Sequence, residues 1–468
     1  MIIEQIYTKC LAQGSYFIES DGEVAVIDPL RETFPYINRA KEKNLKIKYI
    51  LETHFHADFV SGHVDLAKKT GAQIVYGPNA KTTYDIYAAK DGEVLSVGKL
   101  KIKVLHTPGH TLESSCYLLI DEKGKEKALF SGDTLFIGDV GRPDLAQKMG
   151  SLTQEDLAGM LYDSLRSKIM PLPEDVIVYP AHGAGSACGK NMSKETFSSL
   201  GEQKASNYAL RENMSKQEFI QEVTDGLLPP PGYFGMNVAM NKNGYNSIDL
   251  VMNNGLSPLS VEAFEALIDD PEIILLDTRV ANDFAQEHIQ GSLFVGLEGQ
   301  FAPWVGSVIP NVSQKIVLIT EPGKEEESVR RLARVGYDNV LGFLEGGIGT
   351  WKNASKPVVN IERVSAESLL DLYRNSETII DVRKPGEFEA EHIENVPNIP
   401  LDFIYEKMGE FPQKKHLVLH CAGGYRSMIA ASILRAKGWS VSDVLGGFTA
   451  IAKTDIPKTQ YVCPSTLK

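Results

Sequence analysis

The sequence predicts a multi-domain α/β protein, and three observations carry that expectation. Short apolar runs with strand-like alternation recur between segments of helical spacing through the first half. Four of those runs lead into loops bearing His or Asp. The second half repeats a strand-and-helix pattern at an offset of 104 residues, from Asp277 to Asp381 (381 − 277) and from His288 to His392 (392 − 288). At 468 residues the chain has room for roughly two to four domains.

Composition narrows the class. Hydrophobic residues make up 43% and charged residues 23%, enough apolar content for sizeable cores. A formal net charge of −13 argues against nucleic acid or an anionic membrane as partner. The five cysteines (Cys10, Cys116, Cys188, Cys421 and Cys463) are odd in number and widely spaced, which suits a reducing compartment rather than a disulfide framework. The first residues lack a basic segment followed by an apolar one, and no apolar run is long enough to span a bilayer. The expectation is a soluble cytoplasmic protein with no nucleic-acid or membrane partner; a homo-oligomer is left open.

Taken in order, residues 16–20 and 23–29 read as strands joined by a turn at Asp21-Gly22. Residues 36–45 read as a helix and 47–51 as a buried strand. Residues 62–69 read as a helix stopped by Gly71, with short strands at 73–76 and 100–106. Residues 151–170 place Leu157, Met160, Leu161, Leu165 and Ile169 on one side of an amphipathic helix, ended by Pro171 and Pro173. A buried strand at 176–179 and a helical composition over 193–226 follow. The run Leu228-Pro229-Pro230-Pro231 excludes helix, and Asn253-Asn254-Gly255 with Pro258 marks a boundary. Spacing alone supports mixed α/β.

The candidate chemistry starts after strand 47–51, with His54-Phe55-His56-Ala57-Asp58-Phe59. Two histidines and an aspartate at this spacing aim several donors at one point, and imidazole with carboxylate suits zinc or non-haem iron. Three further loops add His110, Asp133 and His182. This constellation resembles the metallo-β-lactamase superfamily, and within it the persulfide dioxygenase branch, including forms fused to rhodanese domains. The resemblance implies an N-terminal αββα sandwich over residues 1–256. Carried over residue by residue, it implies one Fe(II) per chain held by His54, His110 and Asp133, with His56, Asp58 and His182 beside the ligands. Zinc with His56 as a ligand, as in hydrolytic relatives, is the alternative. Phe59 stands where two-metal relatives carry a histidine; a phenyl ring cannot ligate, so one metal is expected.

The segment from Gly138 to Arg142 is similar to the loop after the metal aspartate in persulfide dioxygenases. Arg142 is expected either to contact an anionic group of the substrate or to form an ion pair with Asp139 or Asp144. Cys188, in a Gly-rich loop soon after His182, resembles the rhodanese-fused branch and is implied to hold or relay sulfane sulfur. Lys190 and Lys194 read first as solvated lysines and second as phosphate contacts.

Each copy of the C-terminal repeat runs Asp-x-Arg, Glu-His-Ile, a buried strand and Gly-Gly (Gly346-Gly347 and Gly446-Gly447). This resembles rhodanese domains, which are α/β with a central parallel sheet, over residues 257–357 and 358–468. The shared Asp, Arg and His are expected to be framework groups. In the second copy a strand runs into Cys421-Ala422-Gly423-Gly424-Tyr425-Arg426-Ser427 and then a helix. A helix N-terminus and a ring of backbone N–H groups favour a nucleophilic thiolate there. Cys421 and Arg426 are the expected catalytic pair, Arg426 holding a thiosulfate or sulfite oxygen. Gly423, Gly424 and Tyr425 would line the substrate. The first copy carries Glu321 at that position and is read as inactive. Cys10, Cys116 and Cys463 read as packing or surface residues.

The expected protein is an enzyme, a persulfide dioxygenase joined to a thiosulfate sulfurtransferase, acting in sulfide detoxification. Its partners would be a small thiol persulfide of glutathione or coenzyme A type, dioxygen, sulfite and thiosulfate. Two rivals are a zinc thioesterase of the glyoxalase II type and a persulfide carrier or sensor with a structural metal.

Overall fold

Alternation along residues 13–27 sorts the first strands onto two faces of a sheet. The computed structural model describes residues 1–145, 152–227, 229–375 and 378–462; Ser151, Leu228 and Cys463 lie outside the described residues. Two compact units are present, Met1–Leu250 with Leu332–Tyr337, and the remaining described chain from Val251.

The first unit runs β1 (Ile2–Thr8), β2 (Gln13–Ser20), β3 (Glu23–Ile27), α1 (Phe34–Glu42), β4 (Lys46–Leu51), α2 (His63–Thr70), β5 (Gln73–Tyr76), β6 (Tyr87–Ala88), β7 (Val94–Val97), β8 (Leu100–His106), β9 (Ser115–Ile120), β10 (Glu126–Gly132), α3 (Gln154–Ser164), β11 (Ile177–Pro180), β12 (Ser198–Ser199), α4 (Leu200–Ser206), α5 (Lys216–Thr224) and α6 (Phe234–Asn243), with α7 (Ile248–Gly255) after it. Two six-stranded sheets form, β1-β2-β3-β4-β5-β6 and β12-β11-β10-β9-β8-β7. Tyr16, Ile18, Ala25 and Ile27 face Ile102, Val104, Tyr117, Leu119 and Phe130 of the other sheet in one buried cluster. The intervening residues Phe17, Val24 and Val26 face outward onto Tyr36 and Ala40 of α1 and Leu66 of α2. The outer face of the second sheet packs on Leu161 of α3, Leu200 of α4 and Phe219 of α5. Period-two alternation with both faces buried therefore produces the expected αββα layers.

Local chemistry explains several element ends. Asp21 and Gly22 both adopt positive φ, +49° and +81°, the two-residue turn that suits the twist of a hairpin. Gly71 closes α2 in the left-handed conformation. Residues 193–226 are not one helix. Ser199 with Glu202 and Ser215 with Glu218 form capping boxes that start α4 and α5 separately. The helix expected to reach residue 170 stops as α at Ser164 and widens into a π-turn, Leu165–Ile169. Asn253, Asn254 and Gly255, read as a boundary, lie inside α7. Cys116 is buried and Cys10 half-buried, both as free thiols.

The second unit continues with β13 (Pro258–Leu259), α8 (Val261–Ile268), β14 (Ile273–Asp277), α9 (Ala281–Gln286), β15 (Leu293–Phe294), α10 (Phe301–Val308), β16 (Lys315–Ile319), α11 (Glu325–Arg334, whose last residues group with the first unit), β17 (Val340–Leu344), α12 (Gly347–Asn353), β18 (Glu362–Val364), α13 (Ala366–Arg374), β19 (Thr378–Asp381), α14 (Pro385–Ala390), β20 (His416–His420), α15 (Tyr425–Ala436), β21 (Ser440–Val444) and α16 (Gly447–Ile451). It holds two parallel sheets, β13-β17-β16-β14-β15 and β18-β21-β20-β19. The repeat is reproduced bond for bond. Arg279 pairs with Asp277 at 2.7 Å and Arg383 with Asp381 at 2.6 Å, and each guanidinium also donates to the carbonyl of Glu287 or Glu391 at 2.8 Å. His288 stacks on Phe284 and His392 on Phe388. Gly347 and Gly447 have positive φ and lie so close to the loop after the central strand that a Cβ would fall 2.9 Å from the Thr320 carbonyl or 2.4 Å from that of Cys421.

Phe130 is fully buried between the sheets of the first unit. Phe130→Ala is expected to cost about 3–5 kcal/mol, read as a fall in the urea midpoint of the circular-dichroism transition.

Candidate metal centre and thiol loop

Four loops bring their side chains together where strand ends of the two sheets meet. His54 follows β4, His110 lies in the loop after β8, Asp133 directly follows β10, and His182 follows β11. The crossings need missing side chains. A Cβ on Gly132 would lie 2.6 Å from Thr53, and one on Gly141 would lie 2.0 Å from the Asp133 carbonyl and 2.9 Å from His110 Nδ1.

His54, His110 and Asp133 offer donor atoms within 4.8 Å of one another, all buried. His110 Nε2 stands 3.4 Å and His54 Nε2 3.7 Å from Asp133 Oδ2. The tautomers follow from the hydrogen bonds. Thr53 Oγ1 donates its single proton to Asp28 Oδ2 at 2.8 Å, so His54 Nδ1–H donates to Thr53 Oγ1 at 2.9 Å. His110 Nδ1–H donates to the carbonyl of Arg142 at 2.9 Å. Both Nε2 lone pairs therefore point inward. His54 Nε2 and both oxygens of Asp133 have no hydrogen-bond partner among the described residues. Buried polar atoms are rarely left so, and this donor set fits a divalent metal ion. Burial and the neighbouring imidazoles hold the His54 pKa well below its ordinary value, keeping the ring neutral and able to ligate.

The other sequence-predicted residues divide. His182 Nε2 lies 3.5 Å from Asp58 Oδ2 and 3.7 Å from Asp133 Oδ1. Cys188 joins Asp133 and His182 within 4.8 Å. Burial, and the carboxylates Asp58 and Asp133, push its thiol pKa well up. His56 Nε2 meets Asp28 Oδ1 at 3.2 Å and Glu52 Oε2 at 3.6 Å, and the ring also offers a donor within 4.8 Å of those of Asp58 and His182. Burial opposes its protonation, but Asp28 and then Glu52 lift its pKa to about 9. Phe59 is buried against the His56 ring, 4.4 Å between centroids.

Of the two expectations for Arg142, the ion pair with Asp144 is the one present. Its guanidinium is bidentate on Asp144, 2.7 Å to each oxygen, and its part in the centre is the carbonyl that orients His110. Asp139 is occupied elsewhere, accepting from the amides of Val140, Lys190 and Asn191 and from the Tyr208 hydroxyl, which pins the loop carrying Cys188. Lys190 caps the carbonyls of Glu222 and Asp225. Two residues given no role from the sequence matter here, Asp28 and Thr53, which orient His54. Buried Tyr233 lies where Asp58 and Cys188 add to burial in raising its hydroxyl pKa. Asp28 ends a strand immediately before Pro29, a signal that was available.

In the second repeat Cys421 sits between β20 and α15 and is buried. The Gly424 amide donates to its Sγ at 3.1 Å, with Gly424 at φ +98°. Gly423 has open space beside it. Arg426 is bidentate on Glu387 at 2.6 and 2.8 Å. Tyr425 turns to the first repeat, its hydroxyl donating to the Gly296 carbonyl at 2.7 Å. Glu321 holds the matching place in the first repeat, after β16.

Comparison with known proteins matches both units to known families. Residues 9–182 match the metallo-beta-lactamase superfamily, and residues 260–354 and 365–454 match the rhodanese-like domain. The mitochondrial persulfide dioxygenase of Homo sapiens is 30% identical over 245 residues, covering 52% of this chain and 87% of that protein. A probable hydroxyacylglutathione hydrolase of Schizosaccharomyces pombe is 33% identical over 162 residues, covering 34% of this chain. The chain spans only 58%, 60% and 65% of three such hydrolases. The crystal structure of a Staphylococcus aureus metallo-beta-lactamase superposes with a TM-score of 0.64 at 32% identity, covering 73% of this chain and 98% of that one.

Thr53→Val removes the acceptor of the His54 Nδ1–H. It is expected to weaken metal affinity roughly 10- to 100-fold, measured by competition against a chelator.

Proposed function

Because the chain belongs to the metallo-β-lactamase superfamily and carries two rhodanese-like domains after that domain, we propose that it is an iron persulfide dioxygenase coupled to a sulfurtransferase. The observation that carries this reading is the His54–His110–Asp133 set, with His56 paired to Asp28 and Phe59 where a second metal would need a ligand. Two imidazoles and one carboxylate on one face suit non-haem Fe(II).

When bound, ferrous iron would supply open coordination positions for a persulfide sulfur and dioxygen and the redox chemistry that joins them. The net reaction is R–S–S⁻ + O₂ + H₂O → R–S⁻ + SO₃²⁻ + 2 H⁺. The chain's own groups prepare that reaction. Thr53 and the Arg142 carbonyl fix which nitrogen each histidine presents. Phe59 and the buried walls exclude bulk water. His182 and Asp58 stand beside Asp133, placed to take or return protons. Cys188, a buried thiol within 4.8 Å of Asp133 and His182, would accept or relay sulfane sulfur once its proton is removed. In the second repeat the Gly424 amide steadies the Cys421 sulfur, which would exchange sulfane sulfur between persulfide, sulfite and thiosulfate. One chain carrying both activities keeps sulfite at a raised effective concentration. The persulfide would be that of a small thiol such as glutathione or coenzyme A, and the setting cytoplasmic sulfide detoxification. No helix among the described residues is long and apolar enough to cross a membrane.

The hydrolase relatives keep a second reading in view, a zinc thioesterase. The deciding experiment uses anaerobically purified chain given glutathione persulfide or coenzyme A persulfide. About one iron per chain with oxygen uptake is expected. Asp133→Ala is expected to abolish both, and Cys421→Ser to change the product from thiosulfate to sulfite. Two zincs, thioester cleavage and no oxygen uptake would replace this reading. Sulfur transfer fully retained in Asp133→Ala, with no oxygen uptake in the parent chain, would favour a sulfur carrier with a structural metal.

A further inference from the structure

The second repeat contains a buried polar chain that its framework does not explain. Ser427, in the first turn of α15, lies 3.4 Å from Cys421 Sγ and 2.5 Å from Asp443 Oδ1 on β21. Arg363 on β18 binds the other oxygen, Asp443 Oδ2, at 3.0 and 2.7 Å. Ser427 and Asp443 are fully buried and Cys421 is 1% exposed.

The first repeat is an internal control. Its framework pair, Asp277 with Arg279, matches Asp381 with Arg383, as structural parts should. The Asp443 chain has no counterpart there. In parallel register β18 places Arg363 opposite Asp443, and β13 places Pro258 opposite Phe343. Glu321 and Phe343 precede Cys421 and Asp443 by the same 100 residues (421 − 321, 443 − 343). A buried acid with its arginine thus occurs in the copy that has the thiol and is replaced by Phe and Pro in the copy that has lost it.

We propose that Ser427 and Asp443 form a proton relay that activates Cys421 for sulfur transfer. The proposal rests on the reading of Cys421 as the sulfur acceptor. The Cys421 thiol proton passes to Ser427 Oγ as the Ser427 hydroxyl proton passes to Asp443. The Cys421 sulfur then attacks the outer sulfur of thiosulfate; a new S–S bond forms, the bond to the sulfonate sulfur breaks, and sulfite leaves with its electron pair. Cys421–SH, S₂O₃²⁻ and the Asp443 carboxylate become Cys421–S–S⁻, SO₃²⁻ and the protonated Asp443, with charge conserved and no external oxidant. Ser427 touches the reacting sulfur; Asp443 acts through it, and Arg363 holds Asp443 in place. Burial lifts the Asp443 pKa to about 6 against the opposing pull of Ser427 and Arg363, poising it to take up a proton near neutral pH. The charges around this chain are Arg363 and, on the Cys421 side, Arg426, which Glu387 neutralises.

The test is thiosulfate-to-cyanide sulfur transfer by the full-length chain, read as thiocyanate from about pH 5 to 8. The wild type should lose kcat on the acid side as Asp443 protonates. Asp443→Asn should lower kcat roughly 10²-fold, leave the KM for thiosulfate in place and erase that acid limb. Ser427→Ala should lose as much, and Ser427→Thr, which keeps the hydroxyl, should recover most of it. This Ser427 pair decides the matter even if Asp443→Asn does not fold. Wild-type kcat in Ser427→Ala, or an intact acid limb in Asp443→Asn, overturns the relay. A wild-type chain that forms no thiocyanate overturns the reading of Cys421 itself, and does so before any variant is compared.

Discussion

The carboxylate of Asp28 holds the first unit's site in place. It directly follows β3 in a left-handed backbone conformation, φ +47°, which aspartate tolerates better than most residues. From there Oδ1 accepts the Thr53 amide and Oδ2 the Thr53 hydroxyl, each at 2.8 Å, and Oδ1 also meets His56. A single acid thus sets the tautomer of His54 through Thr53 and engages His56 Nε2. Its own main chain is tied by Gln13, whose amide donates to the Asp28 carbonyl at 2.9 Å. Position and proton placement both trace to one buried group.

In the second unit frame and chemistry are separable. Both repeats lock the end of a strand to a following loop through a buried Asp–Arg pair, and both bring glycine against the loop after the central strand. Removing one member of such a pair leaves an uncompensated buried charge, so the pair ties loop geometry to the integrity of the fold. What differs lies on top of that frame, in the loop from Cys421 to Ser427 and the strand residue beneath it. The frame persists in the copy carrying Glu321, which accounts for a domain that keeps its architecture without the nucleophile.

Much of this was legible in the sequence because it is local. Period-two alternation assigned residues 16–27 to two faces, the Asp21-Gly22 turn has its own signature, and the His/Asp loops announce themselves by following apolar runs. Side-chain partners were harder to read. Arg142, Arg426, Lys190 and Tyr425 are polar groups beside functional loops, and each is engaged, by Asp144, Glu387, two helix-end carbonyls and the Gly296 carbonyl. Apart from Asp144 these partners come from other elements, and no spacing rule reaches them. Asp28 was overlooked for the same reason, lying 25 residues before Thr53. The break between α4 and α5 was local and visible, since both serine caps stand three residues before a glutamate.

The glycine crossings distribute evolutionary latitude unevenly over the metal-binding domain. Positions 132 and 141 accept no side chain without collision with Thr53 or the Asp133 backbone, so the ligand frame cannot drift by small substitutions. Position 59 is different. Its ring meets side chains, with His56 and His182 at centroid distances of 4.4 and 6.5 Å. Exchanging that one side chain alters how many donors face the centre while leaving every backbone crossing intact. A scaffold built this way changes its chemistry at a few tolerant positions rather than by rearranging its frame, which is one physical route by which a single architecture comes to host hydrolytic and oxidative members.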